Sequence, residues 1–358
     1  MTSITDQGSG PRVGSSDLQA MLDVASADLD ELRGARLFIT GGTGYIGRWL
    51  LELLCHANWS RDLSMTIVVL SRNPRKFADQ CPHLANDPAV SFIQGDVRDF
   101  TGLTGTFSHI LHAATDVIAS NTALDTFDVT VAGTQRVLDV ARDHGAKNVL
   151  LLSSGAVYGR LAEPVDRIPE TQPCTSDVTA SSAAYGLGKI ATEWLGNAYG
   201  QQYGFACKSA RIFAQVGPYL ELDAHFAAGN FIRDALRGQT LTIKGDGTSL
   251  RSYMYATDLV AWLLAILVRG RAETSYNVGS EQAVSIRELA EAVARVTGLD
   301  SSNVKILGQP ALGVAPDRYV PSTQFAQSDL GLSITVPFEE ALLRTAEWYR
   351  PQFSTGKR

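Results

Sequence analysis

Short apolar runs recur through the first part of the chain at Leu37–Thr40, Thr66–Leu70, Val90–Gln94, Ser108–His112 and Asn148–Ser153. Between them, apolar residues fall at helical spacing from Tyr45 onward and over Ala123–His144. A further helical segment opens near Ser181-Ser182 and runs to about Tyr203. Near-continuous hydrophobicity means strands buried on both faces, and strands alternating with helices mean an α/β chain with a parallel, doubly wound sheet. Ligands of such sheets bind outside the carboxyl ends of the strands. The pattern after Gly204 is less regular. It predicts strand Phe205–Ile212, helix Phe226–Arg237, strand Leu241–Ile243, a turn at Gly245-Asp246-Gly247, a helix from Asp258, strand Tyr276–Val278 and a last helix at about Phe338–Tyr349. Ser285-Ile286-Arg287-Glu288 reads as a capping box that opens another helix. Near the N-terminus, Asp17–Arg33 places Leu18, Met21, Leu22, Ala25, Leu29 and Leu32 at helical spacing on an acidic background. One or two amphipathic helices docked on the main body are expected there, after a Gly/Ser/Thr-rich start, Met1–Ser16, expected to be disordered.

The join between the first strand and the first long helix carries the first chemical signal. It reads Thr40-Gly41-Gly42-Thr43-Gly44-Tyr45-Ile46-Gly47. Glycines at Gly41, Gly44 and Gly47 allow a tight turn, approach of the backbone to a pyrophosphate and close packing of helix on strand. The helix N-terminus then offers free N–H groups and a positive dipole end to phosphates. A dinucleotide site follows. At the end of the second strand an NAD-binding fold usually presents an acid to the adenosine ribose. Here Ser71-Arg72 stands instead, which points to NADP, with NAD held by hydroxyl and backbone contacts as the alternative. Asp96 and Val97 after the third strand, and Ala113, Ala114 and Thr115 after the fourth, fall where a cofactor would lie.

Composition narrows the class without changing the picture. The 358 residues allow one large or two modest domains with a sizeable core. Hydrophobic content of 45% and charged content of 19% are those of a globular protein. A formal net charge of -6 supplies no basic field for nucleic acid or an anionic membrane. The four cysteines are widely spaced and the six histidines form no ligand pattern, so no metal site is expected and a reducing, cytoplasmic setting is. The longest uncharged apolar run, Leu259–Val268, is too short to span a bilayer and reads as a buried helix.

The fifth strand runs into Ser153-Ser154-Gly155-Ala156-Val157-Tyr158-Gly159, and the next helix carries Tyr185-Gly186-Leu187-Gly188-Lys189. Tyr185 and Lys189 are four apart and share a helical face. A phenol with a pKa near ~10 is a poor base at neutral pH, and a neighbouring ammonium is expected to lower that value. A serine hydroxyl nearby could orient a substrate oxygen while the phenol exchanges its proton.

With TGGTGYIG, GDVRD, HAA, SSGAVYG, YGLGK, RIFAQVGP, GDGTSLRSYMYATD and YNVGS together, the chain resembles the extended short-chain dehydrogenase/reductase family over roughly 35–350. That group includes nucleotide-sugar epimerases, 4,6-dehydratases, decarboxylases and ketoreductases. The resemblance implies a Rossmann-type doubly wound sheet with a smaller, interleaved C-terminal α/β substrate lobe. It divides the chain into an extension (1–34), a dinucleotide-binding part with the Tyr/Lys helix (35–204), a mainly substrate-binding part that partly returns to the sheet (205–350) and a tail (351–358). It makes Ser154 the catalytic hydroxyl, Tyr185 the acid/base and Lys189 its electrostatic partner and ribose ligand. Gly41, Thr43, Gly44, Tyr45, Ile46, Gly47, Ser71, Arg72, Asp96, Val97, Ala113, Ala114, Thr115 and Ser153 would line NADP or NAD. Thr115, Ser154, Gln215, Arg251 and Arg318 would meet a nucleoside-diphosphate sugar, with Arg251 on the diphosphate. A homodimer formed through the helices ending at His144 and beginning near Tyr185 is also implied.

Departures from the family pattern bear on the reaction. An Asp-Glu pair follows the catalytic hydroxyl in 4,6-dehydratases, whereas Gly155 and Ala156 stand here. Ala214 replaces a frequent asparagine, with Gln215 beside it, and Gly188 replaces the usual Ser/Thr before the lysine. The sequence therefore leads to an NAD(P)-dependent epimerase or 4-ketoreductase acting at a sugar carbon, C4 above others. A 4,6-dehydratase without the acid pair and a reductase of a lipophilic ketone are the alternatives.

Overall fold

A computed structural model of the chain describes residues 12–115, 122–161, 165–224, 226–310, 313 and 315–354. The expected disordered start lies largely outside them, although its last residues are ordered as the beginning of a helix. In chain order come α1 (Ser15–Val24), α2 (Ser26–Glu31), β1 (Arg36–Thr40), α3 (Tyr45–Arg61), β2 (Thr66–Ser71), α4 (Pro74–Gln80) and α5 (Pro82–Ala85). They are followed by β3 (Val90–Gln94), β4 (His109–His112), α6 (Ala123–Asp143), β5 (Asn148–Ser154), α7 (Ala184–Tyr203) and β6 (Ala206–Ile212). The remainder contains β7 (Gln215–Val216), α8 (Ala227–Leu236), β8 (Leu241–Ile243), β9 (Leu250–Arg251), β10 (Met254–Tyr255), α9 (Ala256–Arg269) and β11 (Thr274–Val278). Last are β12 (Val284–Ser285), α10 (Ile286–Thr297), β13 (Val304–Ile306), β14 (Arg318–Tyr319), α11 (Gln324–Leu330) and α12 (Phe338–Ser354).

Seven strands form one parallel sheet in the order β11-β6-β5-β4-β1-β2-β3. The chain moves outward from β1 through β2 to β3, then returns to place β4 on the other side of β1. That reversal creates the crevice in which such sheets take ligands. Alternation along each strand divides the interior. Leu37, Ile39, Ile67 and Val69 enter the core that holds α1, α2, α3 and α9. Phe38, Val68 and Leu70 enter the core beneath α6. The late strand β11 pairs with β6 at the sheet's edge, so the second half of the chain contributes to the first half's sheet.

Helix α9 shows why Leu259–Val268 has no polar side. Nearly every residue of it is buried, between the sheet and the helices α1, α2 and α3. It starts at Ala256 rather than Asp258, and Asp258 accepts hydrogen bonds from Thr335 and Val336 N–H groups at 3.0 and 3.1 Å. The capping box at Ser285 and Glu288 forms as expected. The last helix continues beyond Tyr349 to Ser354, so the first residues assigned to a tail are helical.

The N-terminal helices are integral to this packing. Leu29 and Leu32 are fully buried. Asp17, 5% exposed, accepts from the Tyr255 hydroxyl at 2.6 Å and pairs with Arg344 at 2.7 Å. Asp28 receives the Arg269 guanidinium through Nε at 2.5 Å. Among the described residues no helix is long and apolar enough to cross a membrane, and no group of His, Cys, Asp and Glu could hold a metal ion.

Asp17→Ala leaves the Tyr255 hydroxyl buried without its acceptor, so it is expected to lower stability by about 1–3 kcal/mol. Urea unfolding of variant and parent measures it, and equal midpoints would show that α1 is a passive cover.

Candidate active site

The crevice is built on close contact between two strand ends. Gly41 leaves β1 with φ +71°, and a Cβ there would lie 2.5 Å from the Ala113 carbonyl carbon and 2.7 Å from the Ala114 nitrogen. Ala113 N–H in turn donates to the Thr40 carbonyl at 3.0 Å. Gly47 packs α3 on the turn so closely that a Cβ would strike Gly41 and Gly42. Gly44 is the N-cap of α3, has no capping side chain, and a Cβ on it would meet only the Gly41 carbonyl, at 3.4 Å. The first turn of α3 carries no acidic residue. Uncapped amides beside open space fit the pyrophosphate of a dinucleotide. Thr43 accepts from Arg48 Nε at 3.0 Å through its carbonyl, and Ile46 packs partly into the core. Tyr45 turns its hydroxyl inward, where it is buried without a partner, so its backbone alone faces the turn.

At the adenosine end, Ser71 is buried and its hydroxyl accepts from Asn73 N–H at 3.2 Å. Asn73 caps α4, which fixes Arg72 between strand and helix. The Arg72 carbonyl accepts from Gln94 Nε2 at 3.3 Å. Asp96 is held by Arg98 at 2.7 Å, and hydrogen bonds from Arg98 keep its carboxyl below the usual range. Arg98 also pairs with Asp128 at 2.9 Å, while Val97 is buried against Gly133.

Beneath the crevice runs a buried polar chain. Thr40 Oγ1 lies 2.7 Å from His112 Nδ1, His112 Nε2 lies 3.2 Å from Thr134 Oγ1, and Thr134 lies 3.0 Å from Thr192 on α7. Burial pushes the imidazole down to about 3, so His112 is neutral at physiological pH.

Ser154, Tyr185 and Lys189 come together above this layer. The Ser154 hydroxyl accepts from Ala156 N–H at 3.2 Å and lies close enough to Tyr185 to oppose the rise in its pKa. Lys189 is 3% exposed and donates to the Leu152 carbonyl at 2.6 Å and to Thr115 Oγ1 at 2.8 Å. Its Nζ lies 5.7 Å from the centre of the Tyr185 ring. The electrostatics differ from the expectation for Tyr185. Burial raises the phenol, the Ser154 hydrogen bond opposes that rise, and the ammonium is not among the causes. Desolvation instead pushes Lys189 down to about 7, against an upward pull from Glu193. In the protein alone, burial outweighs the mutual stabilisation that spacing on a helix suggested.

Ser153 is committed elsewhere. Its hydroxyl donates to Glu193 Oε1 at 2.5 Å, which leaves its backbone to face the crevice. Glu193, one turn beyond Lys189, also receives Arg211 Nη2 at 2.7 Å and Ser275 Oγ at 2.8 Å. Arg211 Nη1 donates to the Tyr158 hydroxyl at 2.9 Å, which donates onward to Asn277 at 2.8 Å. This buried network fastens α7 to the sheet.

Beside the reaction centre lies a cleft of about 840 Å³ whose walls include Arg160, Thr248, Arg251, Arg318 and Tyr319. Sequence-remote Arg251 and Arg318 are brought to one cavity. Arg251 pairs with Asp317 at 2.7 Å and Arg318 with Asp166 at 2.5 Å. Gln215 lies in β7 with Nε2 buried and unpartnered.

Sequence reasoning passed over Tyr319, Glu193 and Arg211. Tyr319 arrives on a two-residue strand, β14, paired in parallel with β9, and its hydroxyl lies over Gly155, where a Cβ would strike it. A two-residue strand has no periodicity to detect. Glu193 was detectable as the next position, four residues on, along the Tyr185–Lys189 helical face.

Comparison with known proteins agrees with this architecture. UDP-glucuronic acid decarboxylase 6 of Arabidopsis thaliana is 28% identical over 327 residues, covering 90% of this chain and 91% of that protein. A dTDP-glucose 4,6-dehydratase of Streptomyces antibioticus is 27% identical over 322 residues, covering 88% and 92%. The crystal structure of a dTDP-glucose 4,6-dehydratase double mutant from Streptomyces venezuelae with NAD bound superposes with a TM-score of 0.74 at 26% identity, covering 89% of this chain and 98% of that one. A UDP-glucose 4-epimerase of Thermotoga maritima shares the fold, with a TM-score of 0.73 at 19% identity over 88% and 99%. The family model matches residues 37–279, from the first strand of the sheet to just past its last, and the chain belongs to the NAD dependent epimerase/dehydratase family.

Proposed function

We propose that this protein oxidises or reduces a sugar carbon, C4, of a nucleoside-diphosphate hexose, as an epimerase or a 4-ketoreductase. One observation carries the reading: Arg251 and Arg318 enter the same cleft, which Tyr319 also lines, and the Tyr319 hydroxyl lies against Gly155, the residue after Ser154. Guanidinium groups bind phosphate oxygens in pairs. Both now hold exposed carboxylates, in ion pairs weak enough for a diphosphate to replace. A lipophilic ketone would leave these charges unused. The relatives named as acting on UDP- and dTDP-sugars support the same substrate class.

The nicotinamide, when bound, supplies or accepts the hydride. Tyr185 holds the proton that the sugar oxygen gains or loses, and Ser154 orients that oxygen. Lys189, anchored by Leu152 and Thr115, is placed to stabilise the phenolate once it forms, and the phenolate would favour the ammonium in return. Gln215 Nε2 is a buried donor that a substrate hydroxyl can satisfy. Gly155 and Ala156 offer no acid for elimination or decarboxylation, which favours epimerase or reductase over the decarboxylase and dehydratase reactions.

For the cofactor, the finer reading is NADP. Ser71-Arg72 brings no acid to the ribose, and Arg72 lies close enough to Asp96 to lower its pKa. For assembly, the finer reading is a homodimer through α6 and α7. These helices pack side by side and expose Leu124, Phe127 and Trp194, 83%, 40% and 68% accessible.

Purified without added cofactor and then denatured, the protein is expected to release NADP or to have an empty site that takes up NADPH. Tightly held NAD would overturn the reading of Arg72 and restore the dehydratase as a candidate. With UDP-glucose and dTDP-glucose, and their 4-keto derivatives, as substrates, Tyr185→Phe is expected to cut kcat by about 100- to 10,000-fold while nucleotide binding persists. Full activity in that variant would remove Tyr185 from the mechanism. Trp194→Glu is expected to convert a dimer to a monomer in light scattering, and an unchanged mass would place the interface elsewhere.

A further inference from the structure

The stretch Tyr276-Asn277-Val278-Gly279-Ser280 closes β11, at the edge of the sheet, and contributes nothing to the walls of the cleft. Asn277 within it is fully buried, where a polar side chain must find partners. Its Nδ2 donates to the Ile168 carbonyl at 2.8 Å and to the Ser322 carbonyl at 3.0 Å. Its Oδ1 accepts from the Tyr158 hydroxyl at 2.8 Å, and its backbone N–H donates to Glu170 Oε1 at 2.9 Å. Among side chains of this size only the amide carries two donors and an acceptor, and here all three are used.

The two carbonyls belong to segments that face each other. Ile168 N–H donates to the Val320 carbonyl at 2.9 Å, Ser322 N–H donates to the Ile168 carbonyl at 2.8 Å, and Ile168 bridges Pro321. The amide therefore clamps 166–170 to 318–322 from the side of the sheet. Arg318 stands two residues before Val320, and Asp166 two before Ile168. The Arg318–Asp166 ion pair is given up when a phosphate takes the guanidinium, and the Arg318 backbone then depends on ties that remain. Ile168 and Val320 are buried, so these ties lie out of reach of solvent. We propose that Asn277 is a positioning residue for diphosphate binding, which acts by clamping the two segments that deliver Arg318 to the cleft. The inference rests on the reading of Arg318 as a diphosphate ligand. A guanidinium already in place loses little freedom when the ligand arrives, whereas one on a loose segment must be ordered at the expense of affinity.

Binding of UDP and dTDP to the cofactor-loaded protein, followed by calorimetry, tests the clamp. Asn277→Asp keeps the size and the oxygen that faces Tyr158 but turns an acceptor onto two carbonyls. Asn277→Ala removes the clamp without burying a charge, and it carries the test if the aspartate variant does not fold. Either change is expected to raise the Kd for UDP and dTDP by about tenfold. The Kd for the cofactor is expected to stay within about twofold of the parent, since a clamp on 318–322 does not reach the glycine turn. In an Arg318→Ala background, itself weak for UDP, loss of Asn277 is expected to add nothing, because Arg318 is the link. With a sugar-nucleotide substrate, KM rises with Kd while kcat stays as in the parent. Unchanged UDP and dTDP affinity in the Asn277 variants overturns the inference alone. So does a cofactor affinity that falls in step, which would mark general loosening, or an equal loss in the Arg318→Ala background. A parent that binds neither UDP nor dTDP refutes the sugar-nucleotide reading, and this inference with it.

Discussion

The contact between Gly41 and Ala113 is the constraint on which the rest of the structure depends. The strand order reverses between β1 and β4, and both strand ends must pass within a carbonyl's width of each other for the crevice to form. Only a residue without Cβ, able to adopt a positive φ, meets that demand at position 41. From this point the helix N-terminus of α3 is aimed across the ends of the strands. The polar chain from Thr40 through His112 to Thr192 then fixes the same strand ends to α7, the helix of Tyr185 and Lys189.

Burial governs the titratable groups around that point. His112 is neutral, Lys189 falls to about 7 and Tyr185 is raised, each chiefly because the charged form is desolvated. A charge that arrives in so desolvated a site acts on these groups more strongly than it would in water, which suits the proton exchange proposed for Tyr185. Positions are held by hydrogen bonds and a buried ion pair. The Leu152 carbonyl and Thr115 anchor Lys189, and the Arg211–Glu193 pair anchors the helix one turn below. That pair is buried on both sides and bonded at every turn, the condition under which an internal ion pair fixes geometry.

The second half of the chain supplies what the first half lacks. Short strands β9 and β14 bring Arg251, Arg318 and Tyr319 to the open side of Ser154, where Gly155 has left room. The cleft's charged rim and its phenolic floor therefore belong to one small sheet. A change in how that sheet sits would move the two guanidinium groups and the Tyr319 ring together.

The sequence alone determined the parallel sheet, the glycine turn that opens α3 and the shared helical face of Tyr185 and Lys189, because each rests on local rules. Strand hydrophobicity, glycine spacing and an i,i+4 pair are properties of short stretches that tertiary packing here did not override. Arg251 and Arg318 were legible as candidates because phosphate chemistry selects for guanidinium wherever it occurs. Only the tertiary structure decided that Ser153 turns to Glu193, that the Tyr45 hydroxyl is buried without a partner and that the Tyr319 hydroxyl lies over Gly155. It also decided the sign of the shift on Tyr185, since desolvation depends on what covers a residue from the rest of the chain. Those facts come from contacts between residues tens to hundreds of positions apart, and two-residue strands leave no periodic trace of the company they keep.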